Sequence, residues 1–148
     1  PTMNIVKVIK GKRKKVRISC LPNIFFAYGT EECIKTFVYD NVNLPFLRFY
    51  YEHIHSGNKI IKKPLIIPNS QIESFKIICS HVNMDIIIQS RLISNFQRGE
   101  KVKVVEGAFK GVEGNVARCM GQQRVGIIVG GVFTVATAYV PSSFLKRK

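Results

Sequence analysis

The side chains that could take part in catalysis or bind a metal are few in this sequence and widely separated. The chain has three histidines, four cysteines and nine carboxylates among 148 residues. His53 and His55 are spaced to share a metal ion, but no cysteine or carboxylate stands at ligand spacing beside them. No nucleophile, base and acid form a known motif, and no glycine-rich loop precedes a helix. We therefore predict a protein that is not an enzyme and needs no metal or cofactor.

Positive charge is the strongest chemical signal of the chain, and it is concentrated at the two ends. The formal net charge is +14, and residues 1–19 hold seven basic residues and no acidic one. Charges balance in residues 20–90, and positive charge is again in excess in residues 91–148. Such clustering indicates a polyanion as partner. The candidate nucleic-acid-binding residues are Lys12, Arg13, Lys14, Lys15 and Arg17, with a solvated hairpin tip as the open alternative.

Short-range patterns predict a chain of strands and helices. β-branched residues alternate with lysines on both sides of Gly11, which predicts a hairpin with a basic tip. The apolar run at residues 21–28 predicts a central strand buried on both faces. A second hairpin is predicted within residues 46–61, turning at residues 56–58.

Two helices are indicated by their start signals. Thr30 predicts an N-cap, with Glu31 and Glu32 in the first helical turn. Ser70 and Glu73 have the spacing of a capping box ahead of an apolar stripe.

The cysteines and the long uncharged run bear on where the protein works. The four cysteines lie far apart with no Cys-x-x-Cys pair, so we expect reduced, buried thiols in a cytoplasmic protein. Residues 125–140 are too few to span a membrane, and Gly130 and Gly131 predict a hairpin inside them. No signal peptide pattern is visible at the start. We predict a soluble protein that does not bind membranes and is a monomer.

Glycines between residues 96 and 148 mark the turns of a small β-structure. Val102 and Val104 alternate with lysines, as in a strand with one buried face. Glycines follow where a residue without Cβ adopts positive φ at little cost. This strand, glycine loop and second strand resembles the KOW motif of NusG-type transcription factors and several ribosomal proteins. A generic SH3-like barrel, which needs similar glycines, is the alternative. The predicted KOW loop residues are Gly107, Phe109, Lys110, Gly111 and Gly114.

The resemblance extends over nearly all of the chain. Residues 140–145 resemble the closing strand of a NusG-type KOW domain, and residues 63–75 resemble the start of the last helix of the NusG N-terminal domain. The whole is most similar to NusG-related antiterminators of the UpxY type. The resemblance implies an α+β fold: a partial NusG N-terminal domain with an antiparallel sheet and helices at 1–90, a linker at 91–95, and an SH3-like KOW β-barrel at 96–148.

The same resemblance implies a transcription elongation or antitermination factor. One domain would bind RNA polymerase, and the KOW domain would recruit a ribosomal protein, Rho or RNA. The UpxY type would act on operons for surface polysaccharides. The residues matching the family's apolar polymerase-binding hollow are Leu21, Pro22, Ile24, Phe46, Phe49 and Tyr51, and core packing is the alternative for each. The alternative function is a KOW-containing ribosomal or RNA-binding protein.

Two further expectations concern the start of the chain and one of its faces. Members of the NusG family begin with a Trp-bearing strand and a long helix, whereas this sequence has no Trp and opens at the later hairpin. We expect a fragment of a longer protein, with a shortened family member as the alternative. The outward side chains of residues 125–140, such as Ile128, predict a face covered by the N-terminal domain, a second copy or a partner, unless they are ordinary small surface residues.

Overall fold

A computed structural model of the chain describes residues 2–21, 23–57, 59–90 and 92–148, with only the backbone of Met3 and Ile5. The described residues form a mixed α+β structure with antiparallel sheets, as the sequence predicts, and three α-helices, of which the sequence predicts two. They divide into two compact units, residues 1–22 with 67–148, and residues 23–66. The domain boundary at residues 91–95 stays a prediction, and Arg91 within it lies outside the described residues.

The start of the chain forms the basic hairpin that the sequence predicts. Strand β1 (Thr2–Ile9) pairs antiparallel with strand β2 (Lys12–Ser19). The turn residues Lys10 and Gly11 have φ of 49° and 75°. Positive φ at both central residues is typical of a type I′ turn, whose twist matches that of the paired strands. The pairing register of the hairpin therefore follows from this two-residue turn.

The second unit contains the first predicted helix and the second predicted hairpin. Helix α1 (Glu31–Tyr39) begins after Thr30, whose Oγ1 accepts a hydrogen bond from the Cys33 amide at 3.4 Å. Strands β3 (Tyr51–Ser56) and β4 (Lys59–Pro64) pair antiparallel. Both predictions are confirmed, although Asn58 of the turn lies outside the described residues.

The predicted central strand at residues 21–28 is wrong. Residues 23–28 form no strand, and Phe25 and Tyr28 are 77% and 96% exposed. Asn23 has φ of 62°, which lies in the left-handed region and interrupts an extended backbone. The apolar character of Phe25 and Tyr28 therefore does not reflect burial.

Six strands of the first unit form one antiparallel sheet. They are β5 (Ile87–Gln89), β6 (Glu100–Val104), β7 (Glu113–Cys119), β8 (Gln122–Val129), β9 (Phe133–Ala136) and β10 (Leu145–Arg147), in the order β10-β6-β7-β8-β9-β5. The predicted turn at Gly130 and Gly131 joins β8 to β9, and both glycines have positive φ. The closed SH3-like barrel expected at residues 96–148 is therefore wrong: the sheet is open, and β5 occupies the edge beyond β9.

Helix α2 (Asn69–Ser80) covers one face of this sheet. The Phe75 ring contacts the Phe133 ring edge-to-face, with centroids 5.8 Å apart. Oγ of Ser74 accepts a hydrogen bond from the Glu113 amide at 3.0 Å. The helix is confirmed, but its capping box is wrong: the N-cap residue is Pro68, and no side chain caps the helix.

The other face of the sheet is covered by Phe96 of the short helix α3 (Ser94–Arg98). Phe96 is fully buried and packs in a cluster with Ile87 and Ala136. A Cβ at Gly126 would lie 2.5 Å from carbons of the Phe96 ring, so the ring rests against bare backbone. The chain itself therefore covers this face at Gly126, whereas cover of the outward residues by the N-terminal domain, a second copy or a partner stays a prediction, and Ile128 is half-buried.

Gly126→Ala tests the packing of Phe96 on the sheet. The added methyl group would overlap the ring, and overpacking of this kind costs about 1–3 kcal/mol. We therefore expect a lower midpoint of urea unfolding, measured by far-ultraviolet circular dichroism. Gly29→Ala is the control, because its Cβ would meet only Ile34 at 3.7 Å. Equal midpoints for the two variants would contradict the packing.

Candidate nucleic-acid interface and partner surface

The hairpin cations predicted to bind nucleic acid all lie exposed on β2. They are Lys12, Arg13, Lys14, Lys15 and Arg17. Successive side chains of a strand point to opposite faces, so the odd-numbered cations share one face and the even-numbered cations share the other. Nε of Arg17 donates a hydrogen bond to Oγ1 of Thr2 at 2.6 Å, which ties this side chain to the neighbouring strand. The five cations therefore form a ribbon with two positively charged faces.

An aromatic cluster of Tyr39, Phe49 and Tyr51 lies on the second unit. The Phe49 ring centroid is 5.7 Å from that of Tyr39 and 6.1 Å from that of Tyr51. The two tyrosine hydroxyls share a hydrogen bond of 2.6 Å, which raises the pKa of Tyr51. Tyr39 was not among the predicted partner residues. Its position at the end of helix α1, directly after the apolar Phe37 and Val38, was the available signal.

A shallow hollow shares Tyr39 with this cluster. Its other lining residues are Val38, Asn41, Val42, Pro45 and Arg48. The Arg48 guanidinium donates hydrogen bonds to the backbone carbonyls of Pro45 and Leu47 at 2.7 and 2.6 Å, which holds the rim in place. The second unit therefore offers apolar and aromatic side chains around a depression with a cation at its edge.

The remaining predicted polymerase-binding residues are spread over both units. Leu21 belongs to the first unit and is 3% exposed, which fits the core-packing alternative. Ile24 is half-buried and Phe46 is 67% exposed, both in the second unit. Pro22 lies outside the described residues. Of the described members, Phe46 has the side chain most accessible to a partner.

The predicted glycine loop between β6 and β7 has the expected backbone. Gly107 and Gly111 have φ of 80° and 95°, which confirms the positive φ predicted for both. The Lys110 amide donates to the Gly107 carbonyl at 3.1 Å, and the Gly111 amide donates to the Val104 carbonyl at 2.9 Å. These bonds close the loop and leave the Lys110 side chain exposed at its tip.

The other two loop residues have packing roles. The Phe109 ring is 3% exposed, and its centroid lies 5.2 Å from that of the His81 ring. A Cβ at Gly114 would lie 2.5 Å from the Gly126 carbonyl oxygen. Gly114 therefore permits the close approach of β7 to β8, and Lys110 is the predicted loop residue with an exposed side chain.

Sequence reasoning missed the buried guanidinium of Arg124. This side chain is 1% exposed. Its Nη2 donates hydrogen bonds to Asp85 Oδ2 at 2.5 Å and to Gln122 Oε1 at 2.9 Å. Its Nη1 donates hydrogen bonds to the Thr137 carbonyl at 3.0 Å and to the Asp85 carbonyl. The side chain ties the segment before β5 to the sheet.

The thiols and histidines form no evident reactive site. Burial raises the pKa of Cys79 to about 11, so its thiolate is scarce at neutral pH. Cys33 is exposed, which corrects the expectation that all four cysteines are buried. Across the described ranges, no group of three or more His, Cys, Asp and Glu side chains is placed to hold a metal ion.

None of the helices in the described part of the chain has the length and apolar character needed to cross a membrane.

Comparisons of the chain with protein-family models, with curated proteins and with solved structures found no match.

Gly111→Val tests the backbone of the glycine loop. A β-branched residue is strained at φ of 95°, and its Cβ would also lie 3.3 Å from Ile77, so we expect unfolding free energy to fall by more than ~1 kcal/mol. Lys110→Val is the matched control in the same loop, and we expect it to change stability by less than about 0.5 kcal/mol. Thermal unfolding of the full chain provides the comparison. A Gly111→Val variant that melts with the wild type would refute the turn assignment.

Proposed function

We propose that this chain is a NusG-like transcription elongation or antitermination factor without chemistry of its own. It binds RNA polymerase through apolar side chains of its N-terminal part and recruits a second partner through a KOW domain with SH3-like topology at residues 96–148. The basic hairpin contacts nucleic acid held by the polymerase. The chain works in this role by bridging, so it needs binding surfaces and not a catalytic centre.

The observation that carries the proposal is the arrangement of strands around the glycine loop. Strand β6, the loop and β7 form an antiparallel pair, and β10 pairs with the free edge of β6. A short 3-10 turn at Ser142–Phe144 directs the chain into β10. The resemblance gives residues 140–145 as the closing strand, whereas β10 begins at Leu145, after the turn. Its pairing with β6, the strand that begins the motif, supports the proposal.

The aromatic surface of the second unit supports the polymerase-binding role. Interface energy is concentrated in a few apolar or aromatic anchors surrounded by polar groups. Phe46 and the aromatic cluster provide such anchors, with Arg48 at the edge of the adjoining hollow. A partner with an apolar ridge and acidic flanks fits this surface.

A KOW-containing ribosomal or RNA-binding protein is the second candidate function. Lys110 at the tip of the glycine loop and the hairpin cations favour it, because exposed lysines and arginines contact RNA phosphates directly. Co-purification after nuclease treatment separates the two functions. Recovery of polymerase subunits supports the first, and recovery of ribosomal particles at high salt supports the second.

Phe46→Ala tests the polymerase-binding surface. Loss of an apolar anchor costs more than about 1 kcal/mol of binding, so we expect the Kd for nuclease-treated core polymerase to rise about fivefold or more. Biolayer interferometry with immobilised full chain measures the constant. Phe25→Ala is the control, because Phe25 is a still more exposed aromatic residue of the same unit outside the predicted set. Equal effects of the two substitutions, or no binding by the wild type, would contradict the role of Phe46.

A further inference from the structure

The two faces of the basic hairpin differ in composition. Directly opposed residues of an antiparallel pair share a face, and Val6 pairs with Lys15 and Val8 with Arg13. We call this side the valine face; its members are Asn4, Val6, Val8, Arg13, Lys15 and Arg17. Val6 and Val8 are 62% and 69% exposed, so two apolar side chains stand in solvent between long cations.

The opposite face of the hairpin carries unrelieved positive charge near its tip. Lys7 lies directly opposite Lys14, a like-charge pairing that destabilises a hairpin. The hairpin has no acidic residue, and within the described residues no salt bridge joins its cations to an acid elsewhere. An anionic partner that accepts both faces would relieve this repulsion.

We infer that this hairpin binds double-stranded DNA in the major groove, with the valine face toward the base edges. The inference rests on the nucleic-acid-binding role proposed above and names its ligand. The major groove of B-DNA is about 12 Å wide and admits a two-stranded β-ribbon. Cations at every second residue of a strand are about 6.7 Å apart, about twice the roughly 3.4 Å axial spacing of neighbouring phosphates on one DNA strand.

The side chains of the valine face suit the chemistry of that groove. Apolar groups contact the thymine methyl, arginine pairs with guanine O6 and N7, and asparagine pairs with adenine N6 and N7. Val6 and Val8 provide the apolar groups for thymine, Arg13 and Arg17 provide the guanidinium groups for guanine, and Asn4 provides the amide for adenine. Lys7 and Lys14 on the other face are then free to contact phosphates.

Other nucleic acids fit the hairpin less well. The major groove of an A-form RNA duplex is deep and too narrow for side chains to read. Proteins that bind single strands stack the bases on aromatic side chains, and residues 2–19 contain no aromatic residue. The ribbon shape and its composition therefore favour duplex DNA.

Binding of the full chain to matched nucleic acids tests the choice of ligand. Fluorescence anisotropy would compare a duplex DNA of about 20 base pairs with its single strand and with an RNA duplex of the same sequence. We expect duplex DNA to bind at least about tenfold more tightly than either. Equal or tighter binding of the RNA duplex or the single strand would overturn the inference.

Blocking each groove in turn tests the mode of binding. Cytosines replaced by glucosylated 5-hydroxymethylcytosine fill the major groove, and netropsin fills the minor groove. We expect the glucosylated duplex to bind at least about tenfold more weakly and netropsin to change affinity less than about twofold. Unchanged affinity for the glucosylated duplex would show contact with the DNA backbone alone and would overturn the inference.

Two variants with matched controls separate charge from groove contact. Lys7→Gln/Lys12→Gln/Lys14→Gln removes the cations of the face opposite the valine face. It should lower the slope of log K against log salt by about 2–3, at roughly 0.9 for each lost phosphate contact. Lys59→Gln/Lys62→Gln/Lys63→Gln removes the same charge from the second hairpin and should change the slope by less than about 1.

Val6→Thr/Val8→Thr keeps strand propensity and charge, so affinity should fall about threefold or more at unchanged slope. Its control is Ile60→Thr, which alters an exposed residue of β4 and should leave affinity unchanged. Full affinity in the double valine variant would overturn contact of the valine face. Binding of the full chain to polymerase is measured in a separate experiment. A chain that binds duplex DNA but not polymerase would contradict only the proposed function.

Discussion

The contact between the Phe96 ring and the bare backbone at Gly126 is the constraint on which the main sheet depends. It lets α3 lie flat on one face of the sheet while α2 packs on the other through Phe75. Burial on both faces explains why apolar residues do not alternate with polar ones in residues 125–129 of β8 and in β9. The packing of Phe96 also brings Ile87 into the cluster beside Ala136. Strand β5 therefore extends the sheet at the edge where a barrel would close.

Features set by neighbouring residues could be predicted from the sequence, and features set by distant contacts could not. The hairpin around Gly11, the Thr30 cap and the positive φ of Gly107 depend on local sterics and were predicted correctly. The run at 21–28 was predicted as a buried strand because its composition is apolar, yet Asn23 interrupts it. Arg124 is buried because Asp85 and the Thr137 carbonyl, distant in sequence, converge on its guanidinium. No local pattern encodes that convergence.

The candidate surfaces differ in the physical basis of recognition. The hairpin offers charge, which acts over distances set by salt and steers an approaching polyanion. The aromatic cluster and Phe46 offer apolar area, which acts only on contact and sets the lifetime of a complex. A factor that holds a protein machine and its nucleic acid together needs both kinds of surface. The sequence indicated the cationic residues and part of the aromatic set, but Tyr39 joins that set through its ring contact with Phe49 and its hydrogen bond to Tyr51.

Single-round transcription on a template with a defined pause tests the central claim most directly. Purified core polymerase, the full chain and a template with a downstream terminator suffice, and pause lifetime and read-through are measured on the same gel. The account predicts that added chain shortens the pause or raises read-through, with saturation at the concentration that saturates polymerase binding. Pause lifetimes and read-through that stay unchanged at concentrations where the chain occupies the polymerase would contradict it.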